Sequence, residues 1–372
     1  MELLGPNCTI ERLECAVYDI PTDQPEADGT LAWSSTTAVV VQAHAGGAVG
    51  TGWTYESGAC KALVDTELAH AVVGVDPLAV AYAHEAMVRA CRNLGRPGVV
   101  GSAVSAVDVA LWDLKARLLD TSVGVLAGAP AASVALYGSG GFTTYDDATT
   151  AAQLEHFTSD LGIGRVKIKI AESWGSEEVR DLARTALARR VVGDGAELFV
   201  DANGGYARKQ AVRVGRRLFE EAGVVWFEEP VSSDDLDGLR QVRDSVAPDV
   251  TAGEYGYDDA YFCRMLEMQA VDCLQVDVTR CGGFTSWLRV AALAHARNLD
   301  VSAHCAPHLH AHIAGAVPNL RHVEYFHDHV RVDRFLFDGL PTVSKGALHP
   351  GSEAVGHGMV LKEADAASYR VA

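Results

Sequence analysis

The hydrophobic pattern divides the chain into two parts. From about residue 133, short apolar runs rich in β-branched and aromatic residues recur at regular intervals, the signature of buried strands. They are SVALYG (133–138), RVKIKI (165–170), ELFVDAN (197–203), GVVWFEE (223–229), DVTAGE (249–254), DCLQVD (272–277), DVSAH (300–304) and RHVEYF (321–326). Between most of them the apolar period lengthens to that of a helix, as in 207–222, where Ala211, Val214, Leu218, Phe219 and Ala222 share a face. Eight strands alternating with helices imply a parallel sheet, and eight favours closure into a barrel.

The first third follows a different pattern. TTAVVVQAHA (36–45) reads as a strand, GG at 46–47 as a turn, and helical patterns cover about 62–74, 79–93 and 103–119. Residues 20–35, with two prolines, acidic residues and one Trp, read as a mobile loop, and GAPAAS (128–133) as a linker. An α+β unit thus precedes an α/β barrel.

The polar positions carry the chemistry. Most barrel strands end in, or just carry, an ionisable residue: Lys167 and Lys169, Asp201, Glu228, Glu254, Asp277, His304 and Glu324, spaced by about one β/α unit. Strand C-termini of a barrel converge on one face, so these groups should form one cluster. Asp201, Glu228 and Glu254, three carboxylates on consecutive strands, suit a hard cation such as Mg²⁺. In FEEP, strand alternation lets only one of Glu228 and Glu229 face inward, and Glu228 is chosen. Lys167 and Lys169 share a face of their strand, where mutual repulsion should lower the pKa of at least one and make it a base. Asp277 and His304, on successive strands, suit an imidazole oriented by a carboxylate. The run His304, His308, His310, His312 raises a zinc reading, which no Cys-x-x-Cys supports. Gly138–Gly141 (GSGG) lacks a complete dinucleotide fingerprint and reads as a turn beside the barrel mouth, where Ser139 touches substrate.

Composition narrows the partners. The 372 residues carry 31 Lys plus Arg against 49 Asp plus Glu, a formal net charge of −18, which disfavours nucleic acid and anionic membranes. Eight scattered cysteines read as reduced core thiols. No apolar run approaches the ~18 residues of a membrane span. The start shows no secretory signal, so a cytoplasmic location is expected.

Lys167-x-Lys169, Asp201-x-Asn203, Glu228-Glu229-Pro230, Gly253-Glu254, Asp277, His304 and Glu324, in that order, resemble the enolase superfamily, most closely its mandelate racemase subgroup. The resemblance implies a modified (β/α)₇β TIM-type barrel (131–334) and an α+β capping domain (1–130) completed by the tail at about 335–372. It implies one Mg²⁺ per subunit on Asp201, Glu228 and Glu254, and abstraction of the proton α to a carboxylate. Lys169 and His304, paired with Asp277, would be the two acid/base groups. Lys167 would hold the substrate carboxylate, and a protonated Glu324 would hydrogen-bond it from the other side. Residues 17–35 would be the capping loop. Asn203 would bind a substrate hydroxyl, with Tyr137 and His329 as further polar contacts. The expected reaction is β-elimination, dehydration of an acid sugar to a 2-keto-3-deoxy acid. The alternatives are racemisation or epimerisation of a 2-hydroxy acid, and cycloisomerisation opening a sugar-acid lactone or anhydro ring. A homo-oligomer, dimer to octamer, is implied as well.

Overall fold

A computed structural model describes residues 8–129, 133–351 and 354–372. The first seven residues, part of the 128–133 linker and the 130/131 boundary lie outside the described residues.

Eight parallel strands close into a barrel in sequence order: β4 (Val134–Gly140), β5 (Arg165–Lys169), β6 (Glu197–Asp201), β7 (Val224–Glu228), β8 (Asp249–Ala252), β9 (Cys273–Val276), β10 (Asp300–Ala303) and β11 (Leu320–Phe326). Pairing of Val323–Phe326 with Leu136–Ser139 completes the ring. Alternation sorts the side chains. Val166, Ile168, Val200, Phe227, Val250 and Leu274 belong to the main apolar core with Val214, Leu218, Phe262 and Trp287 of the surrounding helices. A separate cluster inside the barrel holds Tyr137, Phe199, Trp226 and Cys273, with the Phe199 and Trp226 rings stacked 5.1 Å apart.

Ahead of the barrel, β1 (Arg12–Ala27), β2 (Ala32–Ala45) and β3 (Ala48–Tyr55) form an antiparallel sheet against the helix Val99–Leu118. Contact there is so close that a Cβ at Gly50 or Gly52 would sit 2.2–2.3 Å from the carbonyls of Ala110 and Ala106, so only glycine fits. The same helix fixes the sheet to the barrel. Asp108 accepts from Thr285 N (3.0 Å) and Ser105 Oγ from Gly282 N (2.8 Å), satisfying donors at the start of helix Gly283–His295. At the chain end, Val371 N donates to Val17 O at 2.8 Å.

Two expectations fail here. Residues 20–35 are mostly strand, with a turn at 28–31 where the Asp28 carboxylate accepts from Thr30 N and Leu31 N (2.6 and 2.8 Å). The prolines are accommodated by a register irregularity between Pro21 and Glu26. The helix expected over 62–74 begins at Ala59 and contains a π turn, Val64–Leu68. All eight cysteines are free, and no helix among the described residues is long and apolar enough to cross a membrane.

Candidate active site

Lys167, Asp201, Glu228 and Glu324 fall within strands, whereas Glu254, Asp277 and His304 lie just past strand ends. All seven are buried at the carboxyl end of the barrel, together with Lys169. Lys167 Nζ is fully buried between Glu228 Oε1 (2.6 Å), Glu324 Oε1 (2.7 Å) and Asp201 Oδ2 (3.6 Å), with the Tyr137 ring centroid 5.4 Å away. Lys169 pairs with Asp201 Oδ2, whose other oxygen accepts from Asn203 N at 2.8 Å. His304 Nδ1 is 2.8 Å from Asp277 Oδ2, and its Nε2 is 3.3 Å from Glu254 Oε2.

A cleft of about 450 Å³ opens onto this cluster. Lys169, Asn203, Glu254 and His304 line it from the barrel, Trp33 and Thr36 from the hairpin β1–β2, and Tyr55 from β3. His329 also lines it, its ring stacked on Tyr55 at 3.5 Å. Lys167, Asp201, Glu228 and Glu324 lie beneath the lining, and Ser139 Oγ and Tyr137 OH are buried without hydrogen-bond partners. Ser139 and Tyr137 therefore do not reach the cleft surface.

The electrostatics revise two expectations. Lys167 does lower its neighbour Lys169, as expected, but the net shift of both lysines is upward. Burial opposes their charge, but Glu228 and Glu324 around Lys167, and Asp201 beside Lys169, outweigh it and raise both. Glu324 is not held protonated: despite burial, Lys167 and His304 hold its carboxyl well below the usual range, so it accepts hydrogen bonds. For His304 burial again favours the neutral ring, yet Cys305, Glu254, Glu324 and the Asp277 hydrogen bond raise it well above an ordinary histidine.

Three further groups escaped the sequence reading. Glu229 is turned by a left-handed backbone (φ 38°), so its buried carboxyl faces the same cluster as Glu228, and Oε1 has no hydrogen bond. Burial first, and the neighbouring Glu254 and Asp201, push it well up. Arg280 Nη1 reaches Glu254 Oε1 (3.3 Å) and Nε approaches Asp277 Oδ2 (3.7 Å). Cys305 Sγ lies 3.4 Å from His304 Nε2. Asn203, which was expected at the site, is turned in the same way as Glu229: it follows the end of β6 with φ 43°, instead of continuing its face. Two other histidines of the run are engaged elsewhere, His308 Nδ1 with Asp333 (2.7 Å) and His310 between Cys305 O (2.9 Å) and Val278 N (3.1 Å), and His312 Nε2 is buried without a hydrogen bond.

The donor set fits a hard divalent cation. Glu228 and Glu254 each offer an oxygen within 4.8 Å of one another and of His304, and Glu254 Oε2 is buried without a hydrogen bond. Asp201 joins them through Lys167, which touches both Asp201 and Glu228, and would need Lys169 to release Oδ2. Carboxylate oxygens without thiolate are what Mg²⁺ prefers.

Comparison with known proteins gives the family. A family profile described as mandelate racemase/muconate lactonizing enzyme, N-terminal domain, matches residues 13–128, and one described as enolase C-terminal domain-like matches 149–365. The chain is 28% identical over 260 residues to L-talarate/galactarate dehydratase of Salmonella typhimurium, covering 70% of this chain and 64% of that protein. It is 30% identical over 321 residues to 3,6-anhydro-alpha-L-galactonate cycloisomerase of Streptomyces coelicolor, 85% of this chain and 88% of that one. Among solved structures, a mandelate racemase/muconate lactonizing enzyme-like protein from Rubrobacter xylanophilus superposes with a TM-score of 0.94 at 45% identity, over 98% of this chain and 100% of that one. A racemase from Streptomyces coelicolor with bound magnesium gives 0.90 at 28% identity, over 97% and 100%. With both profiles matched in order and the barrel mouth carrying the expected charges, the chain belongs to the enolase superfamily, in its mandelate racemase/muconate lactonizing enzyme group.

Proposed function

We propose that the protein removes the α-proton of a polyhydroxy carboxylate and eliminates the β-oxygen, dehydrating an acid sugar to a 2-keto-3-deoxy acid. The observation that carries this reading is the lining of one cleft by an amine, Lys169, and a carboxylate-held imidazole, His304, above a floor of carboxylates. Asp201, Glu228 and Glu254 would hold Mg²⁺, the ion bound in the structure of the Streptomyces coelicolor racemase. When bound, that ion offsets the negative charge that builds on the substrate carboxylate as the α-proton leaves.

The chain's own groups supply the rest. Lys169, once released from Asp201 and with its ammonium proton given up to solvent, takes the α-proton as a neutral amine, and the C–H electron pair becomes the enediolate double bond. Lys167, fixed by three carboxylates before reaction, adds positive charge beneath the substrate carboxylate without reorganising. His304, kept protonated by its surroundings, gives its Nε2 proton to the β-oxygen as the C–O bond breaks and water leaves. The resulting enol gains a proton at the β-carbon and becomes the 2-keto-3-deoxy acid. Asn203, at the cleft wall, would meet a substrate hydroxyl, and Trp33 would pack against the substrate.

Ring opening by the same elimination is the second reading, favoured by the similarity to the anhydrogalactonate cycloisomerase over 85% of this chain. There the leaving oxygen stays tethered. Incubating the protein and Mg²⁺ with a library of acid sugars, lactones and anhydro acids, and trapping 2-keto acids, tests both. A keto acid lighter by one water supports dehydration, and an isomeric one supports ring opening. Inversion at the α-carbon with no keto product contradicts both.

A further inference from the structure

The left-handed turn after β10 places a thiol where the family reaction has no use for one. In an extended strand, His304 and Cys305 would face opposite sides. Instead Cys305 (φ 48°) and Ala306 (φ 39°) are both left-handed, a costly backbone for residues with a Cβ. The turn swings Cys305 Sγ to 3.4 Å from His304 Nε2 and 3.5 Å from Glu324 Oε2, while His304 Nε2 and Glu324 Oε2 are 3.8 Å apart. One nitrogen, one sulfur and one oxygen thus form a nearly equilateral triangle. His304 and Cys305 line the cleft, so its fourth side is open to a small solute.

We infer that His304, Cys305 and Glu324 form a site for a soft divalent cation, Zn²⁺, distinct from the all-carboxylate Mg²⁺ set. The spacing is that of zinc ligands. The centre of the triangle lies about 2.1 Å from each corner, against zinc bond lengths of ~2.0–2.1 Å to nitrogen and oxygen and ~2.3 Å to sulfur. A small displacement toward the cleft lengthens all three and leaves the fourth tetrahedral position to water. Ligand softness separates the two sites: thiolate and imidazole select Zn²⁺, whereas Mg²⁺ takes oxygen and gains nothing from sulfur. Glu324 is suited to share itself: Lys167 holds Oε1, while Oε2 accepts from Cys305 N at 2.9 Å and keeps a second lone pair toward the thiol. His304 keeps its tautomer through Nδ1 and Asp277, presenting Nε2 as the ligand. Binding displaces two protons to solvent, the thiol's and the Nε2 proton of His304, because a coordinating thiol is deprotonated and a coordinating imidazole is neutral.

The consequence for turnover rests on the elimination proposed above: an ion on His304 Nε2 removes the proton donor, so Zn²⁺ inhibits an enzyme that Mg²⁺ supports. The binding itself is read without turnover. Co²⁺ serves as a visible stand-in for Zn²⁺, added to the full-length protein with Mg²⁺ in excess. We expect one equivalent to give a thiolate-to-cobalt charge-transfer band that Zn²⁺ abolishes, and Cys305→Ser to lose the band and weaken Zn²⁺ binding by at least ~10-fold. A second measurement uses the unaltered chain: Zn²⁺, but not Mg²⁺, should protect Cys305 from alkylation, mapped by mass spectrometry. No band in the unaltered protein, a band unchanged in Cys305→Ser, or unprotected Cys305 at saturating Zn²⁺ overturns the site. If the band is present and Zn²⁺ leaves an established turnover intact, the metal site stands and the role of His304 falls.

Discussion

The barrel mouth and the tip of the β1–β2 hairpin face each other across the cleft, yet they are built by different rules. At the mouth, seven of the eight strands deliver ionisable groups, and the groups hold one another: Lys167 alone pairs with three carboxylates. The tip is held by contacts distant in sequence. Thr143 N donates to Ala27 O (2.8 Å), Trp174 N to Gly29 O (2.9 Å), and Trp33 meets the Phe142 ring edge-on at 5.5 Å. Polar groups are therefore concentrated where each is held by several others, while the tip is held by contacts to residues distant in the chain. Substitutions at the mouth should abolish chemistry, and those at the tip should alter binding and local stability.

The largest effect is expected from the carboxylates. Asp201→Asn or Glu254→Gln should bring turnover to background with the fold intact by circular dichroism, and exhaustive chelation should do the same reversibly. Full activity after chelation would separate the mouth from metal chemistry altogether. Next, Asp277→Asn should lower kcat by about 10²–10⁴-fold, because His304 loses the partner that orients it and holds its proton. Activity that needs a protonated His304 falls as pH rises through its pKa, so in Asp277→Asn this alkaline fall should move to lower pH. A pH–rate profile unmoved by the substitution would make the pair structural.

At the tip the effects should be smaller and of another kind. Trp33→Phe keeps the ring and removes the indole N–H that Glu26 Oε2 accepts at 3.0 Å, a loss of about 1 kcal/mol of stability. KM should rise several-fold with kcat little changed, since Trp33 lines the cleft without touching the acid/base groups. The smallest effect concerns Glu26. Burial, and Asp328 nearby, push its carboxyl up to about 8. The folded chain therefore holds a proton that the unfolded chain has released, and this contribution is complete below about 4.5 and lost as pH rises through about 8. Thermal stability should decline over that window, and Glu26→Gln should flatten the decline. Unchanged pH dependence in that variant would show that Glu26 is ionised in the fold.

The same contrast explains what the sequence disclosed. Strand periodicity and a charged residue once per β/α unit were enough to bring Lys167, Lys169, Asp201, Glu228, Glu254, Asp277, His304 and Glu324 to one end of the barrel. What alternation missed sits where alternation is broken. Glu229 and Cys305 are left-handed without being glycine, and each follows closely on a strand end that carries the site; Asn203, which the sequence did assign to the site, is turned in the same way. No local residue preference marks such positions, because the surrounding barrel imposes them. The tip was misread for a related reason. Two prolines and an Asp-Gly pair describe a loop locally, while the strand pairing Pro21–Ser35 and the anchors at Thr143 and Trp174 come from elsewhere in the chain.

The central claim is that Lys169 and His304 do different work on one substrate, the first at the α-carbon and the second at the β-oxygen. Proton exchange measured in deuterium oxide separates them. On an acid sugar that the unaltered protein dehydrates, His304→Asn should still exchange the α-proton for deuterium while forming almost no 2-keto-3-deoxy acid. Lys169→Ala should lose both exchange and product. Dehydration at the normal rate in both variants, or exchange that persists in Lys169→Ala and vanishes in His304→Asn, would contradict the account.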